Sequence, residues 1–294
     1  MKYTTVAKTA AKWGISERSV RDYCAQGRVD GARKCGKTWQ IPADAQKPKR
    51  KNAKQKNNEL LIRLKQEKES HMPGGIYHKL QIELTYNSNH IEGSKLSKEQ
   101  TRLIFETKTI GTQAAISVDD IIETNNHFKC VDYVIDNCGR TLTQNYIKHL
   151  HKTLKSSTSD AEKEWFAVGE YKKLPNEVGG RKTAHPSDVH KQMEKLLNWY
   201  NDLEHKSINE LIEFHVRFER IHPFQDGNGR IGRLVLLKEC LANNIVPFII
   251  SDELKDFYYR GLHEYDEERG YLVDTCLHAQ DVFKSWLNYF EIMI

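Results

Sequence analysis

The chain has 294 residues, of which 38% are hydrophobic and 29% charged, a soluble globular composition rather than a fibrous or disordered one. No apolar run approaches the roughly 18 residues that a bilayer-spanning helix needs, and Met1-Lys2-Tyr3-Thr4-Thr5 lacks a signal-peptide apolar core. The net charge of +5 hides an asymmetry: residues 1–58 hold 15 Lys/Arg against four acids, or +11, while the rest holds 30 against 36, or −6. A basic head on an acidic body suggests a nucleic-acid contact confined to the head. The six cysteines (Cys24, Cys35, Cys130, Cys138, Cys240 and Cys276) show no CxxC or Cys/His zinc spacing, so the chain reads as reduced and cytoplasmic. Its length allows one sizeable core and a small extra domain.

In the head, Val6 and Ala10 predict a short helix over 5–12, closed by Trp13. Gly14-Ile15-Ser16 makes a turn, with Ser16 placed to cap a second helix through about Ala25 and Gly27 placed to stop it. Val20 and Cys24 give that helix its apolar side, and Arg18 and Arg21 face outward. Gly31–Lys34 and Thr38–Ile41 flank Cys35-Gly36-Lys37 as a small hairpin ended by Pro42. This order, over residues 1–46, resembles the winged helix-turn-helix of the MerR/excisionase type. The resemblance implies DNA as a partner, with Arg18, Arg21, Arg33, Lys34 and Lys37 as phosphate or groove contacts. The alternative is a domain of the same shape used for protein contacts.

Residues 47–58 have almost no apolar side chains and repel themselves, which predicts a basic linker. Helical patterning resumes at Glu59 and breaks at Pro73-Gly74-Gly75. A helix around 76–93 carries Leu80 and Leu84 four apart, and Ser88 and Glu92 continue the same inward row before Gly93. A carboxylate at a helix C-terminus is disfavoured by the dipole unless a cation answers it. Further helices over 95–160 offer Leu103/Ile104, Val118–Ile122 and Val131–Ile135 as core, with Asp119 and Thr143 near helix starts. No chemistry stands out there, and His127, His149 and His151 read as surface or core histidines. Residues 170–186 mix turn residues with short extended pieces and predict a β-hairpin, a plain surface loop being the alternative.

The segment His222-Pro223-Phe224-Gln225-Asp226-Gly227-Asn228-Gly229-Arg230-Ile231-Gly232-Arg233 joins two helices. Leu211, Ile212, His215 and Phe218 mark the first, which Pro223 should end at His222. Ile231, Leu234, Val235, Leu237 and Leu241 mark the second. Flexible Gly227 and Gly229 before a helix N-terminus, with Arg230 and Arg233 three apart, make a phosphate cradle. Asp226 is a hard carboxylate suited to Mg²⁺ carrying phosphate oxygens, and His222 can take a proton near neutral pH. Beyond this helix, Asn243–Pro247 ends the segment, Ser251 is placed to cap a helix holding Phe257, Tyr258 and Tyr259, and 271–294 reads as packing material.

The pattern His-x-Phe-x-Asp-Gly-Asn-Gly-Arg-x-x-Arg resembles the signature of the Fic (filamentation induced by cAMP) family, and residues 59–294 would form that domain. The resemblance implies a mainly α-helical fold with a small β-hairpin flap that holds a target segment by strand addition. It implies transfer of AMP from ATP to a Ser, Thr or Tyr hydroxyl of a protein, with His222 as base and Asp226 holding Mg²⁺. Gly227, Asn228 and Gly229, including the Asn228 side chain, would stabilise developing charge, and Arg230 and Arg233 would bind the β/γ end. Ser88-Asn89-His90-Ile91-Glu92-Gly93 is similar to the family's Ser/Thr-x-x-x-Glu-Gly/Asn inhibitory motif. That likeness implies an N-terminal inhibitory helix in which Glu92 pairs with Arg233, blocks productive γ-phosphate binding, and is steadied by Ser88. Family analogy places Tyr258 or Tyr259 near the adenine. The same residues would serve removal of AMP from a modified protein. A rival is a DNA-binding regulator with a self-modifying Fic domain. No membrane contact is expected, and a homodimer is left open.

Overall fold

The computed structural model describes residues 3–25, 27–36, 38–48, 58–111 and 115–293. It divides into two units, Met1–Lys56 and Asn57–Ile294.

The first unit contains β1 (Tyr3–Thr5), α1 (Val6–Trp13), α2 (Glu17–Ala25), β2 (Arg33–Cys35) and β3 (Thr38–Pro42). The strands form one antiparallel sheet in the order β1-β3-β2. Both predicted helices and the hairpin are present, and Ser16 caps α2 by accepting the Ser19 N–H at 3.1 Å. Strand β1 was not foreseen, because three residues are too few to show a period of two. Val6, Ala10, Trp13, Val20, Cys24, Val29 and Ile41 make the small core. Lys37 and most of the 47–58 linker lie outside the described residues.

The second unit is mainly helical, with α3 (Glu59–Ser70), α4 (Ile76–Ile91), α5 (Lys98–Thr107), α6 (Val118–Asn137), α7 (Gln144–Lys155), α8 (Pro186–Asp202), α9 (Ile208–Ile221), α10 (Asn228–Asn243), α11 (Lys255–His263) and α12 (Gly270–Tyr289). A two-stranded hairpin, β4 (Glu177–Val178) and β5 (Arg181–Lys182), precedes α8 as the turn chemistry predicts. The organising element is α10, whose residues from Arg230 to Leu241 are all buried. Buried on every side although it carries Arg230, Arg233, Lys238 and Glu239, α10 packs against α4, α6, α7 and α9. It thereby brings side chains from four other helices to one place.

Two expectations are corrected. Val118 is 68% exposed rather than core, because it opens α6 before that helix reaches the interior. The Ser251 side chain makes no capping bond. A 3-10 turn, Asp252–Leu254, precedes α11, and the Asp252 N–H is met by Asn87 Oδ1 at 3.1 Å.

Candidate active site

The corner between α9 and α10 is fixed by local chemistry. His222 follows α9 in the left-handed region (φ 49°, ψ 64°) and donates its N–H to the Phe218 carbonyl at 2.9 Å. Pro223 cannot extend the helix, so the chain turns there. The Asn228 side chain then clasps the loop: Oδ1 accepts the Phe224 N–H at 2.8 Å and Nδ2 donates to the Phe224 carbonyl at 2.9 Å. Phe224 is buried with its ring stacked on His151, centroids 4.0 Å apart. Gly227 has φ +80°, a conformation that strains a residue with a side chain. At Gly229 the issue is space, since a Cβ would lie 2.3 Å from Glu92 Oε1 and 3.0 Å from Arg233 Nη1. The Glu92 carboxylate therefore rests against the first turn of α10, whose N–H groups lack intrahelical acceptors and favour an anion.

Glu92 sits just past the end of α4, and Arg233 answers its charge. Arg233 Nη2 donates to Glu92 Oε1 at 2.7 Å and to the Ser88 carbonyl at 2.9 Å, while Nε donates to Ser88 Oγ at 2.9 Å. Arg233 is buried, and Ser88 is buried beneath it. Arg230 has other partners, namely Glu123 and, at 3.1 Å, Asp226 Oδ2. The two arginines thus answer different carboxylates. Arg230 Nε and Arg233 Nη1 are buried and have no hydrogen-bond partner among the described residues. Buried donors of that kind suit a further anionic ligand.

Lys155, at the end of α7, is 2% exposed and reaches Glu123, Asp160 at 2.6 Å and Asp226 at 2.8 Å. Oxygens of Glu123, Asp160 and Asp226 all lie within 4.8 Å of one another. Three carboxylates thus face three cations, Lys155, Arg230 and Lys163, the last on Asp160 at 2.6 Å. Desolvation pushes the Asp226 carboxyl up, yet the charges of Arg230 and Lys155 outweigh it and hold it well below the usual carboxylate range. Asp226 keeps 49% of its side chain exposed at the loop mouth. An ionised, hard, accessible oxygen donor fits magnesium.

His222 is largely buried, and burial followed by the nearby Lys172 charge pushes it down to about 4. It is uncharged at neutral pH and able to accept a proton. Its Nδ1 lies 4.0 Å from Glu219 Oε2 and has no hydrogen-bond partner among the described residues. Glu219 itself is pushed up to about 8 by burial and by Glu92, against the pull of Arg233.

The candidate adenine residues divide. Tyr258 is 1% exposed and its hydroxyl is 2.6 Å from His215 Nε2, so its ring serves packing. Tyr259 is 41% exposed and its hydroxyl donates to the Ile91 carbonyl at 3.4 Å, just before Glu92. In the first unit Arg18, Arg21, Arg33 and Lys34 are all exposed. Arg21 pairs with Glu17 at 2.6 Å, and Arg33 donates to Gln40 while lying over the Tyr3 ring at 4.3 Å.

Sequence reasoning missed Glu123, Lys155 and Asp160, which lie in the stretch read as holding no chemistry. It also left His151 as an ordinary histidine. That ring accepts the Gly169 N–H on Nδ1 at 2.9 Å and donates from Nε2 to the Asp226 carbonyl at 3.2 Å, tying two loops together. No short-range pattern marks any of these four, since the Asp226 and Arg230 that they gather around are distant in the chain.

Residues 141–240, which contain this corner, match the family model described as Fic/DOC family. Over these residues the chain is similar to Fic domains. Curated relatives include the protein adenylyltransferase Fic of Nematostella vectensis, 26% identical over 184 residues that are 61% of this chain and 42% of that protein. The protein of the same name from Drosophila yakuba is 29% identical over 188 residues, 60% of this chain and 35% of its own length. The chain therefore spans less than half the length of these relatives. A Fic domain containing signaling protein from Bacteroides thetaiotaomicron superposes with TM-score 0.59 at 28% identity, covering 78% of this chain and 90% of that one. Fic-1 from C. elegans shares the fold at TM-score 0.61 and 20% identity, over 79% of this chain and 71% of the other.

The buried histidines give the second unit an acid limit. Burial, with Arg230 and Arg233 beside His127, Lys155 beside His151 and Arg233 beside His215, pushes all three down to about 3, and His222 lies at about 4. Ordinary histidine titrates at 6.5. Between these values the unfolded chain binds more protons than the folded one, so stability rises with pH there. Glu219, pushed up to about 8, works in the opposite sense but is one group against four, so we expect thermal melts to fall progressively as pH drops from 6.5 towards 3. An unchanged melting temperature across that window would contradict the buried, uncharged state of these rings.

Proposed function

We propose that this protein transfers AMP from ATP to a Ser, Thr or Tyr hydroxyl of a protein, and that Glu92 restrains it. The observation that carries the reading is the α9–α10 corner. An uncharged histidine flanks a glycine-lined helix N-terminus, and two buried arginines there each keep an unsatisfied N–H. The printed names of the curated relatives support the same activity. His222 would take the proton of the target hydroxyl as its oxygen attacks the α-phosphorus. The bond to the β-phosphate bridging oxygen breaks, and pyrophosphate leaves. First-turn N–H groups at Gly227, Asn228 and Gly229 would stabilise the developing charge. The Asn228 side chain is committed to the Phe224 backbone, so its part is to hold the loop shape. Asp226 would hold magnesium, whose charge offsets that of the phosphate oxygens. Arg230 and Arg233 would take the β/γ end, Arg233 only when Glu92 lets go of it. The β4–β5 hairpin would receive the target segment, and Tyr259 is the better placed of the two tyrosines for an adenine.

The direct test is incubation with ATP labelled on the α-phosphate and, separately, on the γ-phosphate, with lysate, followed by mass spectrometry. Label retained on protein from α but not from γ supports adenylylation. Retention from γ would mean phosphate transfer instead. Release of AMP from a premodified protein, without net addition, would favour the reverse reaction.

For the first unit we propose a winged helix-turn-helix that contacts duplex DNA through Arg18, Arg21, Arg33, Lys34 and Lys37. The charge of +11 over residues 1–58 motivates this. Full-length protein should bind duplex DNA at low salt, with log affinity falling by about 0.9 per phosphate contacted per decade of salt. A chain starting at residue 59 should not bind. Equal retention of both forms in a mobility assay would instead favour a protein-contact role for the head.

A further inference from the structure

Lys172 is 3% exposed, and among the described residues no carboxylate lies within ion-pair distance of its ammonium. A buried, unpaired charge is costly, and a packing role would be met as well by an uncharged side chain. Its three donors are spent on neutral oxygens: Asn176 Oδ1 at 2.7 Å, Thr183 Oγ1 at 2.6 Å and the Ile221 carbonyl at 3.4 Å. Asn176 and Thr183 are the residues flanking the β4–β5 hairpin, and Ile221 immediately precedes His222. The backbone of Lys172 adds a second tie, its N–H donating to the Pro223 carbonyl at 2.9 Å. Around these lie Ala184 N–H on the Ile221 carbonyl at 3.3 Å and Asn176 Nδ2 on the Phe224 carbonyl at 3.3 Å.

We propose that Lys172 is a positioning residue, its buried ammonium and backbone fastening the base of the hairpin to the carbonyls on both sides of His222, so that hairpin and histidine keep one fixed geometry. A target segment held on the hairpin then presents its hydroxyl to His222 at a set distance, and this consequence rests on the transferase reading above. The fastening itself does not. The charge has a second effect, because after burial the Lys172 ammonium is the main influence holding His222 unprotonated. Three acids also bear on His222: Glu219 on α9, 4.0 Å from its Nδ1, and Glu92 at the end of α4 and Asp226 in the loop, whose charges pull it the other way. Without Lys172, burial alone would oppose those acids.

The test uses full-length protein with Lys172→Met and Lys172→Arg. In Lys172→Met, amide exchange at positions 172 and 184 should accelerate at least about ten-fold while α10 amides keep their protection. The His222 ring, followed by NMR, should titrate higher by roughly one pH unit. ATP binding measured by calorimetry should be unchanged, and label incorporation into lysate proteins should fall. Lys172→Arg keeps the charge and should restore the wild-type His222 titration. Wild-type exchange and titration in Lys172→Met would overturn the proposal. So would a Lys172→Arg protein whose His222 titrates like that of Lys172→Met, since the charge would then not be the agent. Absence of transfer by the wild-type protein would defeat the transferase reading and leave exchange and titration to decide this one.

Discussion

His222→Ala is expected to lower AMP transfer by about 10²–10⁴-fold while ATP binding persists. The substitution removes the proton acceptor at the α9–α10 corner and leaves the anion site of α10 in place, because Asp226 is held by Arg230 and Lys155, and Arg233 by Glu92 and Ser88. Single-turnover transfer at pH 7 and calorimetry with ATP measure the two quantities independently. Because burial and the Lys172 charge push His222 down to about 4, the wild-type rate should also be flat on the acid side down to about that value. Near-wild-type transfer by His222→Ala would remove the histidine from the chemistry. Loss of ATP binding together with transfer would make it a structural cap of α9 instead.

Glu92→Gly is expected to raise transfer, whether to the protein itself or to a lysate protein. In the structure the Glu92 carboxylate lies over Gly229 at the start of α10 and occupies an Arg233 N–H, the same donors that a terminal phosphate would use. Removing it frees the anion position and the guanidinium together. Ser88 still holds Arg233 through Oγ and its carbonyl, so the arginine should stay near its place. The double variant Glu92→Gly with Arg233→Ala should lose the gain, since the freed arginine is what the release exposes. Some stability should be lost in Glu92→Gly, because a buried arginine gives up its carboxylate; breaking a fully buried pair costs about 3–5 kcal/mol. Glu92 keeps 26% of its side chain exposed, so the loss should fall below that range. An unchanged or lower transfer rate in a folded Glu92→Gly protein would refute the restraint.

The features that the sequence determined by itself are those whose physics is short-ranged. Pro223 ends α9 within a residue, the glycines at 227 and 229 open α10, and the row Leu80, Leu84, Ser88, Glu92 follows from helical spacing alone. The hairpins of both units follow from turn residues between short extended pieces, and so does the division into a basic head and a larger body. Even the demand of Glu92 for a cation is local, since a helix C-terminus repels a carboxylate.

Only the tertiary structure decided which partners met. Lys155 comes from the end of α7, Glu123 from α6 and Asp160 from a turn after α7, and packing around α10 gathers them on Asp226 and Arg230. No spacing rule encodes such a cluster, because the separations in sequence are those of whole helices. Packing likewise buried Tyr258 and left its neighbour Tyr259 exposed, a choice that two adjacent aromatics cannot reveal. It turned the Asn228 amide onto the loop backbone rather than outward, because buried backbone groups must find partners. Lys172 shows the same limit most plainly. In the sequence it is one of two consecutive lysines with the look of surface residues, and in the fold it is a buried ammonium between a hairpin and a histidine. Charge and hydrophobicity along the chain determine what each segment can become, but which buried charge faces which oxygen is set by how the helices pack.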